Sequence, residues 1–332
     1  MARCLELAAR ARGRTAPNPM VGCVIVRNGV LVGEGFHPRA GEPHAEVFAL
    51  RAAGQFARGA TLYVNLEPCN HQGRTPPCTE AILQSGVQRV VVGMQDPNPL
   101  VSGRGVARLR AAGLDVSTDV LNEACQELNE AFSYFITTGR PFGILKYAMT
   151  LDGKIATHTG HSFWVSGEAA RTYVHHLRAG CEAVIVGGNT VRRDDPQLTV
   201  RLSPGHNPLR VVLSRRLELP STARLWQEQQ VAPTLVFAEP WADPEMHAHL
   251  KHLGIEVQVL PELAPQAVMT VLAQRGCLSV LWECGGSLAW AALVGGAVQK
   301  VIAFVAPVLA GGAAAPTPLG GIGFERMDTA LR

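Results

Sequence analysis

The chain has 332 residues, 47% of them apolar, which is long for one core and comfortable for two domains of ordinary size. A formal net charge of +3 with only 6% aromatics excludes a generic polyanion-binding surface and argues against a basic, aromatic-lined groove for nucleic acid, while leaving room for a single phosphate site. The eight cysteines are scattered along the chain, no apolar run is long enough to cross a bilayer, and no secretory signal precedes the first helix; these features predict a reduced, soluble, cytoplasmic protein that is not a membrane protein.

In chain order, "ARCLELAARAR" has helical spacing. "PNPMVGCVIVRNGVLVGEGFH" reads as a hairpin turning at Asn28-Gly29. "HAEVFALRAAG" is a helix with a glycine stop, "GATLYVNLEP" a buried strand, and "CTEAILQSGVQRVVVGMQDPNP" helix, glycine and strand. "GRGVARLRAAGLDVSTDV" repeats that unit, and "LNEACQELNEAFSYFITTGR" is one further helix leading to a polar joint. The expectation is an α/β domain of about five strands over residues 1–139, with the boundary in "TTGRPF" and a second α/β domain over 140–332. In that second part, strands are expected in "FGILKYAMTLDGKIA", "EAVIVGGNTV", "PLRVVLSRRLELP", "PTLVFAEP", "GIEVQVLP", "LSVLWECGG" and "VQKVIAFVAPVLAGG", separated by helices.

The densest chemistry lies in "EPHAEVFAL" and "LEPCNHQGRTPPC". His44, Cys69 and Cys78 make an imidazole-plus-two-thiolate set, the donors of a catalytic Zn²⁺ that keeps one position open for water. Cys78 opens a helix, where free amides favour a thiolate, and Pro43 and Pro68 suit first helical turns. Glu46, two residues from His44, is placed to take a proton from an activated water and pass it to a leaving amine. Alone, each of these residues is more simply a packing or surface residue; together they fit the zinc deaminase signature, H-x-E followed by P-C-x-x-C. Here eight residues rather than two separate the cysteines, and His71 in the inserted loop is the candidate fourth ligand of a merely structural zinc.

With HAE followed by EPC-x-H-x-G-R-TPPC, the chain resembles the bifunctional riboflavin-biosynthesis deaminase-reductase family over essentially its whole length. The resemblance implies an α/β protein with an N-terminal cytidine-deaminase-like zinc domain and a C-terminal dihydrofolate-reductase-like domain. It implies a small phosphorylated diaminopyrimidinone as substrate, bound by Asn18, His37, Arg74 and Thr75, with ammonia released by hydrolysis. A base deaminase acting on RNA or free nucleosides explains neither the inserted loop nor the second domain, and a structural zinc module attached to an NADPH-sensing domain is separated from catalysis by Glu46→Gln, which abolishes ammonia release with zinc still bound only in the enzyme.

The second domain carries two strand–Gly-Gly–helix turns, at Gly187-Gly188 and Gly285-Gly286, where backbone can approach a phosphate at a helix start. Neither fits G-x-G-x-x-G. Arg215 and Arg216, after a buried strand, suit the 2′-phosphate of NADPH. The resemblance implies NADPH contacts from Ala148, Trp164, Thr190, Asp194, Gly285, Gly286, Ser287 and Leu288. It implies substrate contacts from Ser162, Arg178, Leu198, Arg201 and Glu283, with Asp194 moving protons while ribosyl is reduced to ribityl, and it implies a homo-oligomer. Two departures stand out. Ser214 occupies a position where the family usually has Asp, and the chain stops at "FERMDTALR", short of one further β segment. The second predicts an uncovered sheet edge, a reductase half less stable than the deaminase half, and, as the alternative reading, a deaminase alone.

Overall fold

The computed structural model describes residues 1–71, 76–99 and 101–331. The chain divides into two compact units, Met1–Arg140 and Pro141–Arg332.

In the first unit, β1 (Gly22–Arg27), β2 (Val30–Phe36), β3 (Thr61–Leu66), β4 (Arg89–Met94) and β5 (Asp115–Ser117) form one sheet in the order β2-β1-β3-β4-β5. The hairpin β1–β2 turns on Asn28 and Gly29 at φ 51° and 78°, the double left-handed turn that Asn-Gly accommodates. β1 runs antiparallel to β3, whereas β3, β4 and β5 are parallel. The parallel part follows from its connections, the helices α3 (Cys78–Ser85) and α4 (Arg104–Ala111), because parallel neighbours need a crossover. The sheet core comprises Ile25, Leu62, Val64, Val90 and Val92, covered by Ile82 of α3 and Leu109 of α4. Helix α1 (Ala2–Ala9) precedes the hairpin, and α2 (Ala45–Ala53) lies on β2 at glycine contact. A Cβ at Gly33 would come within 2.4 Å of the Ala49 carbonyl oxygen, and one at Gly35 within 2.5 Å of the Phe48 Cβ. Two glycines two positions apart, on one face of β2, therefore let the helix sink onto the strand and bury its first turn.

The segment predicted as one helix is two, α5 (Asn122–Leu128) and α6 (Glu130–Thr138), interrupted at Asn129 with φ −107° and ψ 22°. The break has a cause outside the helix, since the Asn129 side chain is held by the backbone of Met20. The two prolines also differ from expectation. His44 is the N-cap of α2, so Pro43 precedes the cap, and Pro68 lies in the link after β3 rather than in a helical turn.

The second unit is built on β6 (Phe142–Thr150), β7 (Ala183–Gly187), β8 (Leu209–Leu213), β9 (Thr234–Ala238), β10 (Glu256–Val259), β11 (Ser279–Trp282) and β12 (Lys300–Ala306). They form a parallel sheet in the order β10-β9-β8-β7-β11-β6-β12. Its inner strands read as continuous apolar runs because helices cover both faces: α7 (Glu168–Ala179), α8 (Gly188–Asp194), α9 (Pro244–His252), α10 (Pro265–Gln274) and α11 (Gly286–Val294). One layer gathers around Leu145, Ile185, Phe237 and Trp282, the other around Val184, Val212, Trp226 and Leu250. β12 is one of the two outer strands, with β10 at the opposite edge. Val301 and Val305 on β12 are 46% and 51% exposed, and among the described residues no strand follows Ala306.

Candidate active sites

In the first unit, three elements end at one point. His44 caps α2, Cys69 follows β3, and Cys78 opens α3. Their donor atoms all lie within 4.8 Å of one another, the one such group among the described residues. His44 Nδ1 is 3.2 Å from Cys78 Sγ and 3.6 Å from Cys69 Sγ, and the Cys78 backbone N–H donates to Cys69 Sγ at 3.3 Å. Sharing one proton drives the two thiols apart. Donation from the Cys78 thiol, with His44 close by, holds Cys69 well below the usual thiol range despite its burial. The neighbouring Cys69 sulfur and burial push Cys78 far above that range. A dication held there would take up the charge that otherwise forces the proton onto Cys78, and both sulfurs would then bind as thiolates. Two thiolates and an imidazole suit zinc with one position left open. His71 is exposed and outside this group, which leaves the closed, purely structural site without its fourth ligand among the described residues.

Glu46 sits in the first turn of α2, 3% exposed, and its Oε2 is buried without a hydrogen-bond partner. Burial, and then the charge at Cys69, raise its pKa, while His44 opposes the shift. A dry carboxylate with one oxygen unpaired, beside three metal donors, makes Glu46 the candidate acid–base group of this site.

Asn18 and His37 sit on the edge of the same cluster, the His37 and His44 rings meeting edge to face at 5.3 Å. His37 is 2% exposed, and both ring nitrogens are used internally. Nδ1 lies 3.0 Å from the Pro43 carbonyl, which can only accept, so Nδ1 carries the proton. Nε2 therefore accepts from Asn18 Nδ2 at 3.0 Å. Burial lowers the His37 pKa, in keeping with a neutral ring. The consequence is that His37 is engaged with protein on both sides, and the Asn18 amide is oriented with Oδ1 as its remaining acceptor. Arg74 and Thr75 lie outside the described residues.

Sequence reading passed over the buried polar residues that hold this site. Glu67, 3% exposed, accepts from the backbone N–H of Val106 at 3.0 Å, Gly103 at 2.9 Å and Asp96 at 3.2 Å. It thereby caps α4, whose own N-cap Gly103 has no side chain, and anchors the turn just before Pro68-Cys69. The only hint in the sequence is a carboxylate at the end of an otherwise apolar strand.

The second cluster lies at the C-terminal ends of β6, β11, β7 and β8, the edge where parallel α/β sheets bind ligands. β7 and β11 are neighbours, so the two Gly-Gly turns stand side by side; a Cβ at Gly187 would touch Leu288 at 3.4 Å. Gly285 caps α11, with Gly286, Ser287 and Leu288 in its first turn, and Thr190 is in α8. Ser214 is buried beside Gly188, its Oγ 3.1 Å from where a Cβ would stand. Arg215 and Arg216 are exposed. Asp194 ends α8, its pKa raised by partial burial against the pull of Arg193. Ala148 lies on β6. Ser162 and Trp164 are in the following loop, Trp164 exposed under the Arg171 guanidinium 4.7 Å from its ring.

Arg178 of α7 and Glu283 after β11 form a two-pronged pair, Nε to Oε1 at 2.5 Å and Nη2 to Oε2 at 3.0 Å, with 12% and 9% of their side chains exposed. Lys146 Nζ stands 3.9 Å from the same carboxylate. Arg178 also donates to the Thr199 carbonyl at 3.1 Å, and Arg201 Nη1 to Thr199 Oγ1 at 2.6 Å. Leu198 has positive φ (55°) and a buried side chain packed in the core, so only its backbone is placed to face a ligand. Lys146 was legible only as a charge in the middle of an apolar strand.

Two family models match the chain: the RibD C-terminal domain over residues 141–332, and the cytidine and deoxycytidylate deaminase zinc-binding region over residues 1–94. Riboflavin biosynthesis protein RibD of Synechocystis sp. is 62% identical over 331 residues, covering 100% of this chain and 90% of that protein. The chain belongs to the RibD family. Acinetobacter baumannii RibD superposes with a TM-score of 0.86 at 42% identity, covering 100% of this chain and 92% of that one. The diaminohydroxyphosphoribosylaminopyrimidine deaminase/5-amino-6-(5-phosphoribosylamino)uracil reductase of Thermotoga maritima gives 0.85 at 40% identity, covering 97% and 90%. The RibD fold accounts for both units, a cytidine-deaminase-like zinc domain followed by the dihydrofolate-reductase-like RibD domain. Because the match to RibD proteins runs through both units, the chain is a bifunctional deaminase and reductase of riboflavin biosynthesis, and the alternative of a deaminase alone is set aside.

Proposed function

We propose that residues 1–139 deaminate 2,5-diamino-6-ribosylamino-4(3H)-pyrimidinone 5′-phosphate, and that residues 140–332 then reduce the ribosyl group to ribityl with NADPH. The observation that carries the first assignment is a buried Glu46 carboxylate, its Oε2 without a partner, beside three converging metal donors. His44, Cys69 and Cys78 would hold Zn²⁺. Zinc bound there supplies Lewis acidity that makes water nucleophilic at neutral pH. Glu46 takes the proton of the attacking water and delivers it to the exocyclic amine, which departs as ammonia; burial raises its pKa toward the value such a shuttle needs. Asn18 accepts from a donor on the pyrimidine edge through Oδ1, Arg74 meets the 5′-phosphate, and Thr75 is a further substrate contact. His37 serves by holding Asn18 and the Pro43-His44 turn.

In the second unit the adjoining turns Gly187-Gly188 and Gly285–Leu288 cradle the NADPH phosphates at the starts of α8 and α11, with Ala148, Trp164, Thr190 and Asp194 around the cofactor. Arg178 and Glu283 are the rigid floor of the substrate side, and Arg201, Ser162 and the Leu198 backbone complete it. Asp194 moves the proton that accompanies hydride transfer. The partly exposed apolar face of β12 supports a homo-oligomer, and the lack of any disulfide among the eight cysteines supports a reducing, cytoplasmic setting. Among the described residues no helix is long and apolar enough to cross a membrane.

The test is incubation with the diaminopyrimidinone ribotide, with and without NADPH, following ammonia and NADPH absorbance separately. Ammonia release is expected in both conditions, and NADPH oxidation only as the deaminated product accumulates. Ammonia release that requires NADPH, or NADPH oxidation that precedes ammonia, would overturn the assignment.

A further inference from the structure

Two buried asparagines converge on one backbone residue. Asn129, 2% exposed, faces Met20 as a strand would: Met20 N–H donates to Asn129 Oδ1 at 2.8 Å, and Asn129 Nδ2 donates to the Met20 carbonyl at 3.0 Å. Asn65, fully buried on β3, donates to the same carbonyl at 3.0 Å and accepts from Gly22 N–H at 2.7 Å. Burying two amides is costly unless their groups are bonded, and here they are spent on a single loop, residues 19–22. The same amide interrupts what would otherwise be one helix, so local helical preference is sacrificed to the contact.

What the loop carries gives the latch its purpose. Asn18 stands two residues before Met20, with its own N–H on the Thr15 carbonyl at 2.7 Å. One residue after Met20, the Val21 carbonyl accepts from His37 N–H at 2.9 Å. The His37 ring in turn fixes the Asn18 amide. Asn65 lies four residues before Cys69, on the strand that delivers this thiol. One pair of buried amides thus sets the Asn18 carbonyl oxygen and the strand leading to Cys69 in a common frame.

We infer that Asn129, assisted by Asn65, is a positioning residue for deamination: it latches the Met20 backbone so that Asn18 presents Oδ1 to the substrate ring at a fixed distance from the metal donors. The inference rests on the reading of Asn18 as a substrate contact. An anchor of this kind acts on substrate binding, through Asn18, and not on metal retention.

The test is a double-mutant cycle in the full-length zinc-loaded protein, reading ammonia release, zinc per chain and NADPH oxidation on deaminated substrate. Asn129→Ala is expected to raise the deamination KM about tenfold, as befits lost hydrogen bonds, with kcat little changed. Zinc content and NADPH oxidation stay at wild-type values. In an Asn18→Ala background the same change is expected to add less than about twofold, because residues acting through one contact are not additive. The isosteric Asn129→Asp, which keeps an acceptor for Met20 N–H but sets a carboxylate oxygen against the Met20 carbonyl, repeats the cycle if the alanine variant fails to fold. Full multiplication of the two effects, or loss of zinc in both Asn129 variants, overturns the inference. An Asn18→Ala variant with unchanged KM refutes the reading of Asn18 itself, and the latch loses its role with it.

Discussion

Glu46→Gln lowers ammonia release by about 10²–10⁴-fold while zinc stays bound at the wild-type level. Gln fills the same volume at the first turn of α2 but cannot take or return a proton. The carboxylate it replaces leaves Oε2 without a partner, and a Gln amide oxygen can still accept from the residue's own backbone N–H and the Cys78 thiol. A further consequence follows from the raised pKa of Glu46. A carboxyl whose pKa is higher folded than unfolded favours folding below its unfolded value, and that contribution is lost as pH rises through the folded value. Above its folded pKa an ionised Glu46 therefore strains the metal-free protein, and there metal-free Glu46→Gln is expected to melt no lower than metal-free wild type. The kinetic readout is ammonia release at saturating substrate, with zinc measured on the same sample. A Gln variant that keeps a tenth or more of the wild-type rate would show that the proton travels by another route.

Arg178→Met destabilises the second unit by about 3–5 kcal/mol and abolishes NADPH oxidation, because it strands the Glu283 carboxylate in a nearly closed site. Arg178→Met/Glu283→Met is expected to recover much of the stability and none of the activity, since replacing both charges removes the unpaired one. Urea unfolding monitored by the tryptophans of the second unit reads the first quantity, and NADPH absorbance the second. The pH dependence has a definite sign. Burial pushes the Glu283 pKa up, but Arg178, its hydrogen bonds, and Lys146 beyond it outweigh burial, and the folded pKa is lowered. The stabilisation is therefore present above the ordinary carboxylate pKa and is lost as pH falls below it toward the folded value. Equal stability of the single and double variants would contradict the account of the pair as a desolvated, mutually dependent unit. Ammonia release, which depends on residues of the first unit, is expected to persist in both.

The features that could be read from the sequence were local ones. The Asn28-Gly29 hairpin, the glycine stops and the alternation of apolar strands with helices each depend on a few neighbouring residues, and the sheets contain them. The group of possible metal donors is readable because such a group draws on rare residue types, and H-x-E and P-C mark the starts and ends of elements where a sheet edge collects them. The misread features depend on distant partners. One predicted helix splits at Asn129 because its amide answers Met20, 109 positions away. Pro43 and Pro68 suggested helical first turns, but chain direction into the site is set by His44 capping α2 and by Glu67 binding the α4 amides. The resemblance implies a substrate contact for His37, and its sequence position gives no sign that the ring also bonds Asn18 and the Pro43 carbonyl. The resemblance implies a substrate contact for Leu198 too, and nothing local in the sequence shows that its side chain lies in the core. In each case a polar or apolar side chain has two possible employments, and only the partner decides between them. The Arg178–Glu283 pair, 105 positions apart, shows the same limit: each residue was singled out, but that they neutralise one another emerges only from the sheet.

The claim on which the rest depends is that His44, Cys69 and Cys78 hold one metal ion and leave one position for a light ligand. X-ray absorption at the zinc edge, on the full-length protein without substrate, measures this directly. The account predicts two sulfur neighbours at about 2.3 Å and two nitrogen or oxygen neighbours at about 2.0–2.1 Å. A shell with three or four sulfurs, a shell with none, or an absence of stoichiometric zinc would contradict it.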